Sequence, residues 1–378
     1  MKIIYLSHFR LPTAKAHGLQ VMKMCESFAG TGSKVELLIP TKKNFIGQNP
    51  FDYYGVKNSF SLRRLYIPDL GSRTTRFGVI LFWLDFLSFA TAIFFSGLSR
   101  DEEAIYYTRD YPLLFLFPGW RKSSLVVEIH DIPLRRRFLF KRSLKLATHI
   151  VAVTQGVKNE LVKMGVPSQK IVVAPDSVDL EAFNTKVDKS SARKKLEIDQ
   201  EAYVAMYIGK LGDWKGTETL FKTSTSLYPE VKIVAIGGDP EEIPPLQKKY
   251  PEVIFKGFLP YRELPENQKA ADVLVVPNTG KTAISKYYTS PLKLFAHMAS
   301  GVPIIASDLP SLREILSEDN AFFFTADDPE SLKEIILKVK SNMNEAKNRA
   351  RRAQEDVLRY TWDRRVRLIV DFLTAKGN

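Results

Sequence analysis

Cysteine is almost missing: the 378 residues contain one, Cys25, which excludes an internal disulfide framework and any cysteine-built metal cluster. Its surroundings, LQVMKMCESFA, have helical period, and we read it as a small core residue. Short-period repeats and low-complexity tracts are also lacking, and the 20 glycines and 21 prolines are scattered. That excludes solenoid, collagen-like and wholly disordered chains. No charged-then-apolar leader with a small-residue cleavage site precedes the first strand, KIIYL, so the chain is expected to be unprocessed and cytoplasmic. No nucleic-acid module is recognisable despite a net charge of +13, and no nucleic-acid partner is expected.

What is present is ordinary globular composition, 45% apolar and 26% charged, over a length that suits two domains, each with its own core. The charge is uneven. Lys and Arg outnumber Asp and Glu by 25 to 15 in residues 1–185 and by 30 to 27 thereafter. A basic first half suits an anionic partner, and charge alone does not choose among a lipid surface, a phosphate-bearing substrate and a nucleic acid.

Short β-branched runs alternate with helical stretches nearly throughout, the pattern of parallel sheets wrapped by helices. Strands are predicted at Lys2–Ser7, Lys34–Pro40, Ala104–Tyr107, Leu125–His130, His149–Thr154 and Lys170–Pro175. A second series restarts at Tyr203–Gly209 and continues through Lys232–Gly237, Val253–Gly257, Asp272–Pro277 and Val302–Ser307. The polar stretch Asp179–Gln200 is read as a linker. The domains are therefore placed at 1–185 and 186–355, with an amphipathic helix over 356–378 returning to the first. The longest apolar run, Phe77–Leu98, matches the roughly 20 residues of a membrane span. Asp85 near its middle argues instead for a buried or interfacial helix. An interfacial helix would combine with the basic stretch Arg135, Arg136, Arg137, Lys141, Arg142 and Lys145 on an anionic membrane.

In open α/β sheets, ligands lie beyond the carboxyl ends of strands, so the loops there carry the candidates. After the first strand, HFRLPTAKAHGLQ brings His17 and Gly18 to a helix start, where backbone amides meet anions. In EIHDIP, His130 ends a strand as a candidate proton shuttle or hydroxyl contact. In YIGKLGDWKGTETL, Gly209, Lys210, Lys215 and Gly216 put two ammonium groups around one volume, a plausible diphosphate clamp. In YYTSPLKLFAHMASG, the loop Tyr288, Thr289, Ser290, Pro291 and Leu292 again offers a helix N-terminus. Each also has a plain reading, as turn glycine, structural histidine, solvated lysine or capped helix.

Taken together, IGKLGDWKG, TSPLKLF with MASGVPIIASDLPSLREIL, VAVTQGVKNELVKMGVPSQKIVVAPDSVDLEAF and the terminal YTW helix resemble the retaining family 4 glycosyltransferases of GT-B fold. The resemblance spans nearly the whole chain and is most specific from Tyr207 to Leu316. It implies two Rossmann-like, doubly wound parallel-sheet domains facing a cleft, with a nucleoside-diphosphate sugar as donor. The acceptor implied is a saccharide or lipid-linked saccharide at the inner face of the membrane. Lys210 and Lys215 match the basic pair on the donor diphosphate, Thr289–Leu292 the phosphate-binding amides, and His130 the histidine beside the transferred sugar. Gly18 matches the glycine near the donor, and Phe258 and Leu259 fall where the base rests. His17, Arg109 and Arg135–Arg137 are placed on the acceptor or membrane side. No metal or cofactor is expected, because lysines and helix N-termini take the metal's electrostatic role. One departure stands out: Tyr288 and Ala296 replace the two glutamates usual at these positions. A binding protein with impaired catalysis and a nucleotide-sugar epimerase are therefore the alternatives.

Overall fold

A computed structural model describes residues 1–69, 78–97, 103–116, 124–133 and 137–375. The chain divides into two compact units. One comprises Met1–Val153, Val157–Ala174 and Trp362–Asn378; the other comprises Thr154–Gly156 and Pro175–Thr361.

The first unit is built on a parallel seven-stranded sheet. Its strands are β1 (Lys2–Leu6), β2 (Lys34–Pro40), β3 (Ser61–Leu65), β4 (Ile105–Thr108), β5 (Ser124–Ile129), β6 (His149–Ala152) and β7 (Ile171–Val173), in the order β3-β2-β1-β4-β5-β6-β7. The second unit has a parallel six-stranded sheet of β8 (Tyr203–Ile208), β9 (Val231–Ile236), β10 (Val253–Gly257), β11 (Val273–Val276), β12 (Ile304–Ser307) and β13 (Phe322–Phe324), in the order β10-β9-β8-β11-β12-β13. Both orders reverse beside the first strand of the unit, the doubly wound arrangement of the GT-B architecture. Central strands such as β11, VLVV, are buried on both faces, which is why they read as continuous apolar runs.

Two edge strands do not follow from the sequence pattern. In β3, SLRRL, only Leu65 is buried, because an edge strand with an open face needs no apolar alternation. β13 is three phenylalanines long, too short to show a period. The stretch read as a linker is not free chain. It contains the helix Lys189–Lys195, capped by Asp188, and buried Arg193 bonds the Ala270 carbonyl at 3.0 Å and Asp272 at 2.7 Å. The last helix, Trp362–Thr374, buries Trp362, Arg365, Val366 and Ile369, and Ser27 Oγ donates to Asp363 at 2.9 Å.

The apolar run forms the helix Gly78–Phe95. Among the described residues no helix is long and apolar enough to cross a membrane. Asp85 turns inward: it is buried, lies 3.1 Å from His8 Nε2, and pairs with Lys42. That pairing accounts for a carboxylate in so apolar a segment.

Candidate functional site

In the second unit the order reverses between β8 and β11, and the loops leaving these two strands interlock. Gly216 sits at φ +65° with its missing Cβ 1.8 Å from the Pro277 carbonyl oxygen and 2.9 Å from the Thr279 amide. Only a residue without a side chain lets the two backbones approach so closely. We expect Gly216→Ala to push the loops apart, lowering the unfolding midpoint and weakening anion binding together. A variant that melts like the parent would show that the loops accommodate the methyl group. Gly237 repeats the device after β9, where a Cβ would lie 2.0 Å from the Gly209 carbonyl oxygen.

This frame carries the cations. Tyr207, buried on β8, donates its hydroxyl to the Lys210 carbonyl at 2.6 Å and so fixes the loop from beneath. The Lys210 side chain is 58% exposed and 4.0 Å from an equally open Asp239, a pairing that contributes little in water. Lys215 lies with Nζ 3.4 Å from the centroid of the Trp214 ring. Burial, and then the charge of Lys210, lower its pKa to about 8. The charge of Lys210 thus bears on Lys215 after burial. Loss of solvation at Lys215 makes an arriving anion worth more there than at a solvated lysine.

The loop Tyr288–Leu292 is shaped by its neighbours. A π-helical turn, Ile284–Tyr288, precedes it, and the Tyr287 carbonyl accepts from Thr154 Oγ1 at 3.1 Å. Ser290 Oγ accepts from the Asp176 amide at 2.9 Å, which holds the side chain in place and keeps its O–H available as a donor. Pro291 caps the helix Leu292–Ser300, and Gly301 ends it in the left-handed conformation. Thr289 and Pro291 are buried, and Tyr288 is half-buried. Ala296 is completely enclosed. Of the two residues assigned to a base, Phe258 is 53% exposed, whereas Leu259 packs against the core around Val204 and Ile236. Sequence reasoning passed over Asn278, which follows β11. Its side chain is fully buried, and neither amide atom has a partner among the described residues.

The first unit organises its candidates around a residue that sequence reasoning also passed over, Glu128 on β5. This carboxylate is 1% exposed. It accepts from Gln20 Nε2 at 2.6 Å, Arg365 Nη2 at 2.9 Å and the Tyr107 hydroxyl, and lies 2.5 Å from His130 Nε2. Burial pushes its pKa up, but Arg365 and then His130 outweigh burial and hold it well below the ordinary carboxylate range. An ionised carboxylate can only accept, so Nε2 of His130 carries the proton. Arg109 joins the network by donating to Gln20 Oε1 at 2.7 Å. His17, edge-on to Phe9 at 4.6 Å, is held neutral, its pKa driven down to about 3 by burial, Arg109, Lys15 and His130. Gly18 has a packing reason of its own: a Cβ there would meet the Tyr54 hydroxyl at 2.2 Å. That hydroxyl ties the Thr13 backbone on both sides, accepting from its amide and donating to its carbonyl. Arg137 forms an open surface pair with Glu160 at 2.7 Å. Arg135 and Arg136 lie outside the described residues. The signal for Glu128 was a carboxylate at a buried position of the strand SLVVEI, two residues before His130.

Comparison with known proteins adds to this geometry. Residues 202–342 match the model for "Glycosyl transferases group 1", and residues 105–182 match that for "Glycosyltransferase Family 4". The chain is 24% identical over 193 residues to a D-inositol 3-phosphate glycosyltransferase of Kineococcus radiotolerans, covering 46% of this chain and 43% of that protein. It is 25% identical over 311 residues to an O-antigen chain mannosyltransferase of Salmonella typhimurium, covering 74% and 81%. Several of the curated relatives are thus matched over only about half their length. Among solved structures, Anabaena HepE in complex with UDP and glucose aligns over 100% of both chains with a TM-score of 0.77 at 16% identity. At that identity the likeness speaks for the fold.

Proposed function

Because the chain belongs to the family 4 glycosyltransferases of GT-B fold, we propose that it moves a hexose from a nucleoside-diphosphate sugar to a saccharide or lipid-linked saccharide, with retention of anomeric configuration and without a metal. The observation that carries this reading is the pair Lys210 and Lys215 on a glycine-shaped loop at the reversal point of the second sheet. As the bond to the sugar breaks, charge grows on the departing diphosphate. Two ammonium groups, one of them poorly solvated, stabilise that state more than the ground state. The backbone at Thr289–Leu292 is assigned to the same phosphates. His130, its tautomer fixed by Glu128, is assigned to a hydroxyl of the transferred sugar.

The relatives support this reading by what their names state, a mannosyltransferase of O-antigen chains and a HepE complex holding UDP and glucose. For the acceptor we assign the first unit, working as a peripheral protein at the inner face of the cell membrane. The helix Gly78–Phe95 exposes Ile80, Leu84, Leu87 and Phe94, and Arg137–Leu146 exposes Lys141, Arg142 and Lys145 beside Phe138, a composition that suits anionic lipid.

Calorimetric titration with UDP, GDP and ADP, each with and without sugar, tests the donor. One of the three should bind, and Lys210→Ala should weaken it; heat from none of them would remove the proposal. Ala296 and Tyr288 favour a second reading, a protein that binds the donor without transferring it. Turnover that disappears in His130→Ala would eliminate that alternative.

A further inference from the structure

Lys293, one turn before Ala296, is a cation for which nothing so far accounts. Its Nζ is sealed from solvent, and among the described residues it has no hydrogen-bond partner. It lies 4.2 Å from the centroid of the Tyr207 ring, under the loop that carries Lys210 and Lys215, and its Cδ is 3.7 Å from where a Cβ of Gly209 would stand. The charged or titratable groups that bear on it are Lys215, which repels it, and His297 on the same helix. His297 is neutral, its pKa driven to about 3 by burial and by Lys293 itself. Burial, then Lys215, hold the Lys293 amine well below the ordinary lysine range. A ring face offsets only part of such a loss of solvation. The position usual for a carboxylate, three residues on, holds Ala296. A methionine would fill the same space without the penalty. Two amines whose charges repel each other become favourable when a polyanion joins them, and a diphosphate is such an anion.

We propose that Lys293 is a third cationic contact of the donor diphosphate, reaching it from beneath Gly209. The inference rests on the donor reading above and makes the second unit a three-lysine diphosphate site. The test is titration of the full chain with UDP, GDP and ADP, using wild type, Lys293→Met and Lys293→Gln, together with the unfolding midpoint of each unliganded protein. Both variants should weaken the diphosphate about tenfold or more, the scale of a hydrogen bond to a charged group. Lys293→Met should at the same time melt higher than wild type, since it removes a buried amine. A lysine retained only for packing would give the opposite pair, unchanged affinity and a lower midpoint, and either result overturns the assignment. If wild type binds and both variants bind equally well, only the role of Lys293 falls. If wild type binds none of the three, the donor reading itself falls.

Discussion

Arg365→Met should lower the unfolding midpoint of the first unit on the order of 10 °C, the consequence of about 3–5 kcal/mol lost when one partner of a buried ion pair is removed. The guanidinium is 2.9 Å from Glu128 and also bonds the Ala174 carbonyl at 3.2 Å, with both charged side chains sealed from solvent. Without it, Glu128 keeps Gln20, Tyr107 and His130 but loses the charge that does most to hold it ionised against burial. Adding Glu128→Gln removes the stranded charge, so the double variant should be less destabilised than the sum of the single variants. The pH dependence has a definite sign. Glu128 has a folded pKa below its unfolded value of 4.5, so its contribution is complete above about pH 4.5 and is lost as the pH falls through the folded value. Glu128→Gln should flatten that acid limb. Thermal melts between pH 3 and 7 decide the matter, and an unaltered midpoint in Arg365→Met would show that the remaining partners of the carboxylate suffice to stabilise it.

That network also marks where sequence reading stopped. The restarting series of β-branched runs was legible because each central strand is buried on both faces and must be apolar throughout. The glycines and lysines of IGKLGDWKG were legible because a loop after a strand has few other reasons to combine them. Glu128 was hidden, since its partners come from residues 20, 107, 130 and 365, distances that no local pattern encodes. Lys293 was not singled out, because nothing in LKLFAHM shows that its amine is enclosed, and β3 lacked alternation because only one of its residues needed burying. Asp85 gave the reverse case: one charge in an apolar run, of no local use, proved to be paired with residues 43 and 77 positions away.

Lys215 should make donor binding and stability respond to pH in opposite senses. Below its pKa of about 8 the ammonium is present and diphosphate affinity is at its plateau. Above that value affinity should fall by up to about tenfold per pH unit until it reaches the level of Lys215→Met, which we expect to bind about a hundredfold more weakly at pH 7, as loss of a desolvated charge contact requires. Lys293 also titrates lower than an ordinary lysine, from burial and then from the charge of Lys215. For stability the unfolded lysine keeps its value of 10.5. Between about 8 and 10.5 the unfolded chain holds the extra proton, and stability therefore rises with pH across that window, the penalty being complete below it. Removing the amine should then stabilise the unliganded protein at pH 7, on the order of 3 kcal/mol, while disabling the site. Calorimetry at pH 6.5 and 9 with paired thermal melts would reveal this. A pH-independent affinity combined with equal midpoints would mean that Trp214 already compensates the charge, and that the cation is held for packing rather than for an anion.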